Sequence, residues 1–528
     1  MAQSRRTRDL WSSSYLLSFL AGHAMHGAQS AGGIVIKPSV DEDLLYQWVS
    51  GNQAKDAPVP KLGSLPNHFV VEVDTTASQV ATAAQEGMSK AWRKVCDAVW
   101  RRYVQPVAPH GNGTAEIWDR QVLGFWEFVW TAGQSGQPGG LLERRKHWRS
   151  HRATDEAGDK CTLMPDLQEL SGYIRGQSRA ERASQDNFWN QMRESGSLST
   201  LELRENERLS AIGLVKRLFP LVSRQALGWN ADQVSWPSTL DLDTAADSTA
   251  PFYALLLADG DRLGRLVGEL GGAAVGAALS GFTEEAPVIV DKHGGVTIYA
   301  GGDDVLAMLP VEAASDCAAE LAGTYRAAFA DEDAATLSAA VVIAQARVPL
   351  RSVLEESHHL LDDVAKDGNG RDSLAITVLK GSGKHCQWVS SWNRNTPDGN
   401  PVPALEALGD LTRQFRNAAA EPGVSASLVY RLRDTLARLC GWERWQPGDW
   451  GDLPPGVDLR PLLQADLGRS LDSTGSGTQS DARALADVMS RVLGPSRSGD
   501  EATHGDSAEV GIDALMLALF LADPSSEE

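Results

Sequence analysis

Apolar residues recur along this chain at two spacings, helical and extended, and the alternation between them predicts the elements. Residues 10–31 place Leu16, Leu17 and Leu20 on one side and small residues on the other, which predicts a helix. Residues 69–74 read as a buried strand, and 78–103 as a long helix with Trp92, Val95 and Val99 at helical spacing. Residues 131–140 form a loop by composition, and 155–220 begin polar and become helical from Leu201 to Leu218. The densest pattern is 251–383. Residues 252–258 are a continuous apolar run closed by Asp259, as suits a central strand, and Leu263, Leu266, Val267 and Leu270 follow at helical spacing. Strands are predicted at 288–290 and 296–300, then a Gly301-Gly302 turn with a return through 305–309. A helix over 311–329, a strand over 337–344, a helix over 350–366 and a strand over 373–379 complete an α+β unit. In it, helices cover one face of a mainly antiparallel sheet.

Beyond residue 400 the pattern is almost wholly helical, broken by Ser/Gly-rich stretches at 469–480 and 495–508 that predict surface loops. No repeat occurs at a solenoid period. A length of 528 residues predicts about three or four domains. We place them at 1–150, 151–245, 246–390 and 391–528. The formal charge of −20 argues against a free-standing nucleic-acid binder, though not against a place in a larger nucleoprotein complex. Five scattered cysteines with no CxxC pair exclude a disulfide scaffold and point to a reducing cytoplasm. Arg5, Arg6 and Arg8 before the apolar residues 15–21 superficially resemble a signal peptide, but Gly22, His23 and His26 interrupt the run. Asp9 and Trp11 fit an amphipathic helix better, and no membrane association is expected.

Asp259, Asp303 and Asp304 are the candidate chemistry. Asp259 closes a hydrophobic strand and is followed by Gly260-Asp261, while Asp303 and Asp304 follow the glycine turn of the neighbouring hairpin. Carboxylates converging at adjacent strand ends make an oxygen-rich site suited to Mg²⁺ or Mn²⁺, and paired ions there can activate a hydroxyl and stabilise a leaving pyrophosphate. Gly260 and Gly264 leave room for a nucleoside triphosphate at backbone amides, and a helix starting near Asp261 offers its N-terminus to phosphate. The plainer reading is a pair of acidic turns, since Gly and Asp dominate turns. Residues 366–371 set Lys366 and Arg371 around a glycine loop. They neutralise a triphosphate, or are simply a basic helix end with a glycine cap.

Asp259-Gly260-Asp261 with Gly264, Gly301-Gly302-Asp303-Asp304, and Lys366 with Gly370-Arg371 together resemble the cyclase-type palm domain. With residues 9–18, 65–69, 207–209 and 214–219, the chain resembles the large polymerase/cyclase subunit of type III-B (Cmr-type) CRISPR RNA-guided effector complexes over about 9–385. The resemblance implies two ferredoxin-like palms, the first degenerate, a zinc-ribbon/helical insert and an all-helical C-terminal domain. It implies ATP as substrate, Mg²⁺ or Mn²⁺ as a pair of ions, and synthesis of cyclic oligoadenylate triggered by target RNA paired to guide RNA beside other subunits. Asp259 and Asp303 would hold the metals, with Asp304 assisting or alternative and the Gly260 carbonyl a further ligand. Asp261 and Gly264 would belong to the nucleotide site. Lys366 and Arg371 would neutralise the triphosphate, and Gly301 and Gly302 would admit the adenosine.

Two departures stand out. The chain has no His-Asp dipeptide, so the DNA-cutting HD domain of many members is not expected. The zinc-ribbon positions read Cys161, Met164, Ser210 and Gly213, so no zinc is expected. Asp74 is the one strand-end carboxylate noticed in the first palm, which we read as structural. The alternatives are a non-catalytic scaffold of the ribonucleoprotein and a stand-alone nucleotide cyclase. His385-Cys386 reads as strand neighbours facing opposite ways rather than a catalytic dyad, and His358-His359 as a solvated helix end. Trp442, Trp445 and Trp450 read as core or subunit interface, and Arg144-Arg145-Lys146 as an exposed basic face.

Overall fold

The computed structural model describes residues 6–74, 76–133, 156–231, 252–330, 332–395, 401–420, 426–474, 479–494 and 509–523. The basic cluster 144–146, most of the 131–140 loop and the 495–508 stretch lie outside them. The chain divides into two compact units. One comprises Met1–Trp236 with Gly271–Ser280 and Ile298–Gly302; the other comprises Pro237–Leu270, Gly281–Thr297 and Asp303–Glu528.

The first unit is built on α1 (Thr7–Ser30), which buries Trp11, Tyr15, Phe19 and Met25 and packs along α3 (Ala77–Val99). Between them run β1 (Gly33–Lys37), the short helix α2 (Leu44–Ser50) and β2 (Val70–Val73). β1 and β2 pair antiparallel as a two-stranded ribbon, so β2 is half-buried, with Glu72 exposed, where a buried strand was expected. Among the described residues no third strand joins this ribbon. Helices α4 (Thr114–Leu123), α5 (Arg179–Gly196) and α6 (Ala211–Leu227) complete this unit. The expected helix from Leu201 starts only at Ala211. The Ser210 hydroxyl caps it by accepting the Gly213 amide at 3.1 Å, and the preceding turn is held locally, with the Arg204 amide on Glu207 Oε2 at 2.8 Å. Inside, the Arg217 guanidinium donates to both Asp9 oxygens at 2.6 and 2.9 Å and to Glu207 at 3.1 and 3.2 Å. Pairing of this kind is what permits a buried charge.

A six-stranded sheet is ordered β4-β5-β3-β6-β7-β8, and apart from Ile298–Gly301 of β4 it belongs to the second unit. The strands are β3 (Phe252–Gly260), β4 (Val296–Gly301), β5 (Asp304–Leu309), β6 (Leu337–Gln345), β7 (Ser373–Lys380) and β8 (Gly383–Ser391). β3 runs antiparallel to β5 and β6, β7 antiparallel to β8, and β6 and β7 parallel. Between β3 and β4 come α7 (Leu263–Leu270) and α8 (Gly272–Lys292), and α9 (Val311–Ala328) joins β5 to β6. The parallel crossover is α10 (Leu350–His359), continued by a π-helical stretch, Leu360–Gly368. Every residue of β6 except its last is buried, so this strand is covered on both faces, not one, and its sequence is apolar apart from Ser338 and the last residue, Gln345.

The expected strand at 288–290 lies inside α8. There Val288 is 67% exposed while Ile289 and Val290 are buried, which is helical rather than extended alternation. Among the described residues α8 is also the one helix long and apolar enough, by length and composition, to cross a membrane; it carries Glu284 and Glu285.

Past β8 a small ribbon, β9 (Asn393–Asn395) with β10 (Pro401–Pro403), leads to helices α11 (Ala404–Ala420), α12 (Ala426–Leu439), α13 (Leu459–Thr474), α14 (Gln479–Leu493) and α15 (Asp513–Ala522). A second ribbon pairs β11 (Gly451–Asp452) with β12 (Glu509–Val510). Helix continues through much of 469–480, where a loop was expected. Trp445 is buried in this region, in keeping with a core role.

Candidate metal and nucleotide site

The end of β3 organises the site. Ala258 pairs with Val305 of β5, so the next step along the two strands sets Asp259 opposite Asp304, and Asp303 lies in the turn just before. On its other side β3 pairs Asp259 with Ser338 and Gly260 with Leu337. Asp303 is half-buried and Asp304 exposed. Asp259 keeps 28% side-chain exposure, and its Oδ2 accepts from the Lys366 ammonium, delivered by the π-helical end of the crossover.

Among the described residues no three His, Cys, Asp or Glu side chains gather closely enough to hold a metal ion. Carboxylates repel unless a cation sits between them, and here Lys366 takes Asp259 as its partner.

Asp261, placed from the sequence among the nucleotide-contacting residues, is 1% exposed. It accepts from the Thr336 hydroxyl at 2.8 Å, from the Ser338 hydroxyl at 2.8 and 3.0 Å, and from the Asp372 amide at 2.9 Å. Burial raises its pKa, and these bonds pull it back. Asp261 thus ties the end of β3 to β6 and to the entry of β7. Asp372, itself raised by burial, pairs with Arg326 at 3.1 Å. The chain turns after Lys366 through left-handed Gly370, Arg371 and Asp372, and Arg371 reaches Asp367 at 3.3 Å.

The glycines divide by environment. A methyl added to Gly264 or Gly302 would meet nothing within 4 Å, whereas one on Gly301 would lie 2.2 Å from the Ser64 carbonyl oxygen. Gly301 is therefore required by a neighbouring backbone. On Gly260 a methyl would lie 2.4 Å from the Tyr325 hydroxyl and 2.8 Å from Asp303 Cβ, so the missing side chain is what lets those two approach. Sequence reasoning missed Tyr325, Thr336, Ser338 and Asp372. Tyr325 reads as one more core aromatic at helical spacing, and strand pairing, which brings Ser338 beside Asp259, leaves no local mark.

The zinc-ribbon-like positions do meet. Cys161 Sγ accepts the amides of Leu163 and Met164 at 3.4 and 3.3 Å, and a methyl on Gly213 would lie 3.4 Å from that sulfur. Ser210 spends its hydroxyl on the cap of α6. Elsewhere, burial holds the Cys386 thiol well above its ordinary pKa and pushes His385 down to about 4, so the pair has the opposite of nucleophile–base character. His359 contacts Asp363 at 2.6 Å on the exposed helix end.

Residues 1–97 match the family model described as CRISPR-associated protein Cmr2, N-terminal, and residues 252–375 match that of Cas10/Cmr2, second palm domain. The CRISPR system Cmr subunit Cmr2 of Pyrococcus furiosus is 32% identical over 173 residues, 27% of this chain and 20% of that protein. The match thus spans about a fifth of that relative's length. Two solved type III-B Cmr-beta structures, one apo and one bound to cognate target RNA, share the fold with TM-scores of 0.60 and 0.61 at 13% identity. They cover all of this chain and 80% and 82% of theirs. Residues 1–97 and 252–375 are thus the two stretches of the chain that resemble a Cmr2 N-terminal domain and a Cas10/Cmr2 second palm domain.

Proposed function

We propose that this chain is the nucleotidyltransferase subunit of a cytoplasmic type III-B CRISPR effector complex, converting ATP to cyclic oligoadenylate when target RNA pairs with guide RNA. The observation that carries the reading is the register at the end of β3, which sets Asp259 beside the Asp303-Asp304 turn with Lys366 in reach. The donors are hard oxygens, the chemistry Mg²⁺ or Mn²⁺ selects, and a buried hydroxyl without a partner, that of Tyr325, faces the same gap. When bound, a pair of such ions supplies Lewis acidity to an attacking 3′-hydroxyl and a leaving pyrophosphate.

The chain's own residues do the rest. Asp259 and Asp303 hold the cations, with Asp304 assisting at the exposed start of β5. Lys366 leaves Asp259 for the triphosphate, and Arg371 adds a second positive charge. Gly264 and Gly302, with open space at their α-carbons, admit the nucleotide to the backbone. Asp261 holds the strand ends in place. Other Cmr-type subunits, guide RNA and target RNA are the proposed partners, and no HD-type DNA cleavage is included.

The test is mass spectrometry of products from ATP with Mg²⁺ or Mn²⁺, using the complex with guide and target RNA. An Asp303→Ala/Asp304→Ala variant runs alongside. Cyclic oligoadenylate from the wild type alone supports the proposal. The Lys366–Asp259 pair, which neutralises the strand end without a metal, favours a scaffold as second reading; a target-bound complex silent with both metals would establish that instead. Product without target RNA would point to a constitutive cyclase.

A further inference from the structure

Tyr325 on α9 is fully buried, and its hydroxyl has no hydrogen-bond partner. Buried polar groups are nearly always satisfied, so an orphan of this kind asks what it meets when the site is loaded. Its surroundings are specific. The hydroxyl and Asp303 Cβ flank the same gap at Gly260, where a methyl would lie 2.4 and 2.8 Å from them. Asp261, just past the end of β3, already accepts from Thr336, Ser338 and the Asp372 amide. The ring is clamped edge-on by Phe282 at 5.1 Å and tilted against Phe329 at 5.0 Å, so the hydroxyl cannot swing out to water. Burial first, then the charges of Asp303, Asp261 and Asp304, raise the phenol's pKa, and it stays a proton donor at neutral pH.

We propose that Tyr325 is a positioning residue for the metal: its O–H donates to the Asp303 carboxylate when a divalent cation binds, orienting that carboxylate toward the ion. Partners that orient a ligating carboxylate from behind tune metal affinity in this way. The inference rests on the metal-dependent reading above. It gives one hydroxyl two opposite effects, a burden on the metal-free fold and a support for the loaded one.

Mn²⁺ binding to the full chain without ATP, read from the electron paramagnetic resonance of free Mn²⁺, tests it, with thermal unfolding measured with and without the ion. Tyr325→Phe removes only the hydroxyl. The expected result is Mn²⁺ affinity lower by about tenfold, as for loss of a hydrogen bond to a charged group, with a higher midpoint in the metal-free protein. A merely structural tyrosine would move both readings the same way or leave affinity unchanged, and either result overturns the assignment. Asp303→Ala separates the two levels. If it weakens Mn²⁺ binding while Tyr325→Phe does not, the role of Tyr325 fails and the metal reading stands. If neither variant alters binding, or the wild type binds no Mn²⁺, both fail together.

Discussion

Two regions of this molecule carry the pattern of a metal site, and they are opposites. Around Cys161, four positions spaced like zinc ligands meet, yet one alone is a thiol; the sulfur accepts two amides, and Ser210 caps a helix. At the end of β3 the carboxylates proposed as ligands are all present, yet among the described residues no three of them form a metal-holding group, and Asp259 takes a lysine. The first region has the geometry without the ligands, the second the ligands without the geometry. Backbone hydrogen bonds and packing hold a turn with no ion in it, because amides and a sulfur can satisfy one another. They cannot hold like charges together, which requires a countercharge from outside the cluster.

The contrast can be broken at several points. The largest effect is expected from Arg217→Ala on α6, the helix whose first turn forms half of the thiol region. It removes the guanidinium that Asp9 and Glu207 share, each with no more than 6% of its side chain exposed, and leaves Glu207 with Arg6 at 3.0 Å. We expect a loss of about 3–5 kcal/mol, read by chemical denaturation. A small loss would mean that this region does not depend on its polar interior. Gly260→Ala comes next. Its methyl must push aside Tyr325 or Asp303, costing about 1–3 kcal/mol as an overpacked core does, and Mn²⁺ titration should show weaker binding as well. Unchanged binding would separate the shape of the strand end from its ligands. The smallest effect is expected from Ser210→Ala, about 1 kcal/mol for a lost helix cap. A much larger thermal destabilisation would give Ser210 a part beyond capping α6.

The legible and illegible parts of this chain differ in how far apart the interacting residues lie. β3, β6 and β7 were legible because strands covered on both faces are mostly apolar, and 252–258, with 337–344 apart from Ser338, say so locally. The acidic residues of the site were legible for the same reason, since an aspartate closing such a run has few structural excuses. Val288-Ile289-Val290 misled because three apolar residues fit either period, and the 21-residue helix around them decides the matter. The half-burial of β2 goes with a ribbon that, among the described residues, pairs it with β1 and no further strand, which residues 69–74 do not encode. Asp261 looked like its neighbour Asp259, and only the hydroxyls of Thr336 and Ser338 and the Asp372 amide, far along the chain, turn it into a buried tie.

The ion pair at the strand end has a consequence for synthesis. Asp259 and Lys366 are 107 residues apart, and a ribosome adding about 5–20 residues per second leaves roughly 5–20 s between them. Throughout that interval Asp259 exists in the nascent chain without the lysine it takes in the fold. The ion pair at the strand end can form only once the crossover that carries Lys366 has been translated.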